Sequence, residues 1–240
     1  MLIARATSAT TQNHEKSIMG ILHLVRHGQA SFGADDYDQL SNLGTRQSVQ
    51  LGRYFAAKGI TFDAVLTGTL RRHTQTLAGI SEGMGWPLSA MHWPGLNEYD
   101  SEAVIAAVHP EPLDRTPGDD RYRRHFRLLR TGLTQWMLGK TQPRGMPSWS
   151  TFTQQVVEVL DHVRQGSHER VLLISSGGPI ACAIGHVLGT PPEATVELNM
   201  RLRNTAVTEF SFGPKRHALL TYNTLPHLEH LDVAEWVSHA

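Results

Sequence analysis

Three short stretches of the 240-residue chain carry side chains that bind and transfer anions. In "ILHLVRHGQAS", the mostly apolar run Ile21 to Val25 leads straight into Arg26, His27 and Gly28. In "TLRRHTQT", Arg71 and Arg72 follow a second strand-like run. In "RVLLISSGGPIA", an apolar run ends in Ser175-Ser176-Gly177-Gly178. Guanidinium forks match phosphate oxygens bidentately. Free backbone N–H groups at a helix start add anion affinity. A neutral imidazole in such a site can attack phosphorus, since histidine forms covalent intermediates. Arginines then offset the charge that redistributes on the equatorial oxygens. Gly28, lacking a Cβ, is expected to let a ligand approach the backbone. The chemistry is phosphoryl transfer, and it calls for no metal, nucleoside or redox cofactor.

The elements that must position these residues follow from pattern. "TRQSVQLGRYFAAKG" spaces Val49, Leu51, Tyr54 and Phe55 as one helix face, with Gly59 at its C-terminal end. "ITFDAVLTG" predicts a strand and "TLRRHTQTLAGISEGMG" the next helix. From Asp100 to Met146 the chain predicts helices and loops and no strand. There the basic helix "RYRRHFRLLRTGLTQWML" brings Phe126, Leu129, Leu133 and Trp136 onto one face. "STFTQQVVEVLDHVRQG" is a helix, "RVLLISS" a strand, and "GGPIACAIGHVLG" a helix that starts on glycines. "TAVTEFSF" and "HALLTYN" flank Gly213-Pro214 as a closing hairpin. This rhythm predicts an α/β fold in three layers: a mostly parallel central sheet, helices on both faces, and a helical insertion at about 100–147 over the C-terminal edge of the sheet. Sites in such sheets sit at the carboxyl ends of strands, which is where all three stretches fall.

Composition narrows the function class. The chain is 40% hydrophobic and 18% charged, with 22 basic and 22 acidic residues and no formal net charge. That balance gives no reason to expect a nucleic-acid or membrane partner. One cysteine, Cys182, excludes an intramolecular disulfide and fits a reducing cytoplasm; Cys182 is expected in the core. Residues 1–18 are polar, rich in Ser and Thr and without an apolar signal core, and are expected to form a loose tail before a single domain over 19–240. Met19 is an alternative start.

The quoted motifs resemble those of the histidine phosphatase superfamily, also called phosphoglycerate mutase-like. "LVRHGQA" is similar to its signature, and "LSNLGTRQS" resembles the Leu-Thr-x-x-Gly helix start that follows it. "LRRHTQT" is similar to its Arg-Ala-x-Gln-Thr motif, which selects Arg72 over Arg71, and "LNEYD" stands where the family carries a proton donor. The resemblance covers nearly the whole chain after Met19. It implies a phosphohistidine on His27, a phosphoryl group held by Arg26 and Arg72 with Ser176 and Gly177, and Glu98 protonating the leaving oxygen. The implied substrate is a small phosphorylated metabolite or a phosphoprotein.

Two positions depart from the family pattern. A second histidine usually precedes the paired glycines; here the residue is Ser176. A hydroxyl can bond a phosphate oxygen but carries no imidazolium charge. Losing such a donor costs roughly 3 kcal/mol, or about 100-fold in rate. Ser176 serves equally well, on sequence alone, as a helix N-cap. The family's usual Asn after the signature is replaced by Gly33, which counts against a mutase. Phosphatase, mutase and non-catalytic phospho-ligand binding therefore stand in that order. The run Arg121, Arg123, Arg124, Arg127 and Arg130 is expected to form a solvated face, with a lid contact to the site as the alternative. The other histidines, out of 14, show no ligand-like spacing.

Overall fold

The computed structural model of the chain describes residues 19–31, 38–111, 119–229 and 233–239. The expected tail over 1–18, Gly33, and the side chain of Arg121 lie outside the described residues.

Two-residue alternation sets the architecture. Strand β1 (Gly20–Arg26) sends Leu22 and Leu24 into one apolar cluster and Val25 into another. Strand β4 (Arg170–Ser175) does the same with Val171 and Leu173 against Leu172 and Ile174. Strands buried on both faces belong at the centre of a sheet covered by helices on each side. With β2 (Ala64–Thr67), β3 (Met91–His92), β5 (Val207–Gly213) and β6 (Arg216–Thr224), the spatial order is β3-β2-β4-β1-β5-β6. The first four strands are parallel to one another; β5 runs antiparallel to β1 and pairs with β6 in the expected closing hairpin. The α/β expectation therefore holds.

Helices α1 (Asn42–Ala57) and α2 (Arg71–Met84) supply Leu51, Phe55, Leu77, Ile80 and Met84 to one cluster. The other takes side chains from α3 (Ser101–Ala106), α4 (Asp119–Met137), α5 (Trp149–Gln165), α6 (Gly177–Leu188) and α7 (Pro192–Arg201). Cys182 is buried in it, as expected. The stripe read on the basic helix is present: Leu129, Leu133 and Trp136 are buried and Phe126 packs beside them. Arg123, Arg124 and Arg127 are exposed on its other side, and Arg130 pairs with Glu197 of α7.

The face expected on α1 is only half right. Leu51 and Phe55 are buried, but Val49 and Tyr54 are partly exposed, and Gly44, Gln47, Ser48 and Gly52 take the rest of the buried side. The cause is backbone-to-backbone packing of α1 on α2. A Cβ at Gly52 would lie 2.2 Å from the Ile80 carbonyl oxygen, and one at Gly83 would lie 2.0 Å from that of Val49. Periodicity of apolar residues does not register a face built on glycines.

Past β6 the chain returns to the β1 end. There Thr205, at a positive φ of 55°, donates its N–H to the carbonyls of Arg26 and His27. The Thr205 hydroxyl lies 3.0 Å from Nε2 of buried His227, whose pKa burial pushes down to about 3. Unfolded, His227 titrates near its usual value of about 6.5. Between those two values the unfolded chain holds a proton that the folded chain lacks, so stability falls as pH falls through that window. His227→Gln removes the effect. Urea unfolding at about pH 7 and about pH 4.5 is expected to show the parent losing on the order of 2 kcal/mol more than the variant; equal losses would contradict the assignment.

Candidate active site

The His27 backbone is fixed on both sides. Its N–H donates to the Ser175 carbonyl at 2.9 Å, and its carbonyl accepts from Thr205 N–H and Asn204 Nδ2, each at 3.2 Å. The buried ring is oriented by Nδ1, 2.7 Å from the Gly28 carbonyl. A carbonyl only accepts, so Nδ1 carries the hydrogen. Burial holds the ring pKa well below the usual imidazole range, and the charges of Arg26 and Arg72 and the neighbouring His73 press it the same way. The ring is neutral and Nε2 presents a lone pair. Arg72 Nε donates to that lone pair at 3.3 Å.

Arg72, on the first turn of α2, is buried. Its Nη1 donates to Asp38 Oδ1 at 2.8 Å, while Asp38 Oδ2 accepts the Arg71 N–H at 2.9 Å. Asp38 thus ends α2 as an N-terminal acceptor and anchors the guanidinium together. Arg26, on the last residue of β1, donates Nη1 to the carbonyls of Leu202 and His239. The second of these belongs to a C-terminal strap over the β1 end. Gln47 Nε2 holds the Trp236 carbonyl at 2.6 Å and Ser238 Oγ at 3.0 Å; the Arg46 guanidinium lies 4.2 Å over the Trp236 ring.

Glu98 reaches the same crevice from the turn after a short 3₁₀ segment, Pro94–Leu96. Its carboxyl accepts the Gly178 N–H at 3.0 and 3.3 Å and its neighbour's Tyr99 N–H at 3.2 Å. Burial raises its pKa; the charges of Arg72 and Arg26 and the two N–H bonds pull the other way without cancelling the rise. Glu98 is thereby suited to hold a proton above the usual carboxylate range. The insertion backs this wall. Tyr99 packs on Trp136 of α4, at 6.3 Å between ring centroids, and its hydroxyl accepts from Asn199 of α7 at 2.8 Å.

Two glycine expectations change. A Cβ at Gly28 would sit 2.4 Å from the Gly44 carbonyl oxygen, so the missing side chain admits helix α1. A Cβ at Gly178 would sit 2.2 Å from Glu98 Oε1. At Gly177 the nearest atom would be Asn199 Oδ1, 2.5 Å away, with Glu98 Oε2 at 3.7 Å. Gly178 admits Glu98 and Gly177 admits Asn199, and the group that accepts from the start of α6 is the chain's own Glu98 carboxyl. Ser176 is fully buried and does not cap α6 with its side chain. Its Oγ lies 2.7 Å from Nε2 of His73.

The structure therefore brings His27, Arg72, Glu98, Ser176 and Gly177 together, with Arg26 beside them. It adds Asp38, Asn204 and His73, which sequence reading left out. His73 had a signal: it stands beside Arg72 where the quoted Arg-Ala-x-Gln-Thr motif has alanine. Asp38 and Asn204 had none, because neither a loop acid nor a lone Asn marks a partner across the fold. Among the described residues, no group of three or more His, Cys, Asp or Glu side chains is placed to hold a metal ion. No described helix is long and apolar enough to cross a membrane.

Residues 22–225 match the sequence model of the histidine phosphatase superfamily (branch 1). The chain belongs to that superfamily. It is 26% identical over 235 residues to a 2,3-bisphosphoglycerate-dependent phosphoglycerate mutase of Hamiltonella defensa subsp. Acyrthosiphon pisum (strain 5AT), covering 83% of this chain and 90% of that protein. Its fold matches a phosphoserine phosphatase from Entamoeba histolytica in complex with 3-phosphoglyceric acid, with a TM-score of 0.58 and 19% identity over 88% of this chain and 100% of that one. It also matches a phosphoglycerate mutase from Bacillus anthracis str. Sterne, with a TM-score of 0.60 and 16% identity over 88% and 96%. A phosphatase and a mutase thus share its fold.

The Arg72 charge depresses both His27 and Glu98. Arg72→Met is therefore expected to raise both pKa values, read by NMR titration of the imidazole nitrogens and the carboxyl carbon. No movement in either would place the guanidinium outside their electrostatic reach.

Proposed function

We propose that the protein is a phosphomonoesterase working through a phosphohistidine on His27. The observation that carries this reading is the Nδ1–H bond of His27 to the Gly28 carbonyl, which leaves Nε2 unprotonated, its lone pair turned toward Arg72. In the first step Nε2 forms a bond to phosphorus as the ester P–O bond breaks, and Glu98 gives its proton to the leaving alkoxide. Arg26 and Arg72 offset charge on the phosphoryl oxygens. In the second step the Glu98 carboxylate takes a proton from water, the water oxygen bonds phosphorus, and the P–N bond breaks. Phosphate leaves, and His27 and Glu98 return to their starting states.

The opposed pKa directions of His27 and Glu98 support this division of labour, since a nucleophile must be neutral and an acid protonated. Two relatives bear on the substrate class: one is named a phosphoserine phosphatase with 3-phosphoglyceric acid bound, the other a phosphoglycerate mutase. We take a small phosphorylated metabolite as the substrate, with a phosphoprotein as the alternative.

A screen of phosphorylated metabolites and phosphopeptides, followed by acid-quench labelling, tests the reading. Wild type is expected to release inorganic phosphate and to trap an acid-labile phosphoenzyme. His27→Ala should lose both, and Glu98→Gln should slow turnover by about 100-fold or more. Isomerised phosphoglycerate without net phosphate release would make the protein a mutase. Unchanged turnover in His27→Ala, with no phosphoenzyme in wild type, would end the covalent mechanism.

A further inference from the structure

We propose that His73 and Ser176 act as one donor unit. His73 Nε2–H holds the Ser176 oxygen, and the Ser176 hydroxyl hydrogen is thereby directed to an oxyanion bound at His27 and Arg72. The inference rests on the oxyanion reading of the site given above.

The pair is built into the site's wall. His73 follows Arg72 on the first turn of α2 and is fully buried. Its ring centroid lies 5.7 Å from that of His27. Its Nε2 meets Ser176 Oγ at 2.7 Å across 103 residues of sequence. Its Nδ1 is buried and has no hydrogen-bond partner among the described residues.

The surroundings of Nδ1 decide the tautomer. An ideal Cβ on Gly68 would fall 2.2 Å from Nδ1, so a Cα hydrogen of Gly68 points at this nitrogen. A lone pair accepts a C–H contact of that kind; an N–H would meet hydrogen with hydrogen. An N–H there would also be a buried donor without an acceptor, which native structures avoid. Burial and the Arg72 charge push the His73 pKa down to about 3, so the ring is neutral and has one N–H to place. That hydrogen sits on Nε2 and donates to Ser176 Oγ.

The Ser176 hydroxyl hydrogen must then go elsewhere. It does not bond His73, and the side chain does not cap α6. Alone, a serine hydroxyl samples several rotations; with one lone pair held by His73, its donor direction is restricted. His73 is thus a positioning residue and Ser176 the group that meets the anion. The site keeps a donor where the resemblance leads one to expect an imidazolium, but without its charge.

Orthovanadate affinity, measured by calorimetry on the intact protein, tests this without requiring turnover. Ser176→Ala and His73→Ala are each expected to weaken binding about 10- to 100-fold. The double variant should bind no worse than Ser176→Ala, since both remove the same donor. His73→Gln, whose amide N–H can still donate to Ser176 Oγ, should retain most of the affinity, a rescue that mere space filling would not give. Wild-type affinity in Ser176→Ala, or effects that multiply in the double variant, would overturn the proposal. Should His73→Ala fail to fold, Ser176→Ala and His73→Gln decide it by the same criteria. The phosphoenzyme assay separates this inference from the function it rests on. A labelled His27 with vanadate binding indifferent to Ser176 sinks the donor unit alone. No phosphoenzyme, with binding that depends on the pair, sinks the covalent mechanism alone. Failure of wild type to bind vanadate sinks the donor unit and the oxyanion site together.

Discussion

The site depends on keeping one imidazole neutral and correctly turned in the field of two guanidinium groups. Everything near His27 serves that condition. The Gly28 carbonyl fixes the hydrogen on Nδ1, and burial with two positive neighbours makes a second proton unfavourable. The same field acts on Glu98 in the opposite chemical sense. There it favours the charged carboxylate, and only burial lets the acid keep its proton. Burial and the two guanidinium charges thus act together against protonation of His27, whereas at Glu98 burial opposes ionisation against those same charges.

Two arginines near one crevice repel each other, and the chain supplies an oxygen partner for each. Arg72 has the Asp38 carboxylate, and Arg26 has the backbone carbonyls of Leu202 and His239. The start of α6 has the Glu98 carboxyl. These partners come from the loop after β1, the segment after α7, the C-terminal strap and the turn after β3. The sheet brings them together because β1 and β4 are adjacent and parallel, so both carboxyl ends open on one edge. The antiparallel β5 begins on that edge, which places Asn204 and Thr205 beneath the His27 backbone.

Much of this could be read from residues whose physics is local. The double-sided burial of β1 and β4 shows as unbroken apolar runs, and the α4 stripe shows as spacing. Gly59, Gly85 and Gly189 close their helices with positive φ, as glycines in those places should. What escaped was set by distant partners. β3 is two exposed residues with no alternation to detect. α7 opens on Pro191-Pro192 and buries only Thr195 and Val196, so its periodicity is faint. The buried side of α1 includes glycines because the α2 backbone lies against it. The reason for Gly28 differs from the one expected for the same cause: a missing Cβ says that something comes close, and sequence does not say what.

The Ser176 position shows the same limit at its sharpest. Taken alone it is a lost cation, and His73 taken alone is a polar residue in a helix that should bury alanine. Together they make one hydrogen-bonded contact. Each side of the exchange makes sense only with the other: His73 without Ser176 leaves a buried N–H with no acceptor, and Ser176 without His73 leaves a hydroxyl free to turn. The exchange also moves charge. A neutral pair at the end of β4 leaves Arg26 and Arg72 as the cations beside His27, and it spares His27 and Glu98 the field of a third. On the proposed mechanism, a site with less positive charge leaves more of the His27 pKa depression to burial, and it allows Glu98 to hold its proton with less burial. Such a site gives up attraction for the phosphoryl group, and some of the field that keeps His27 neutral, in return for an acid that keeps its proton more readily.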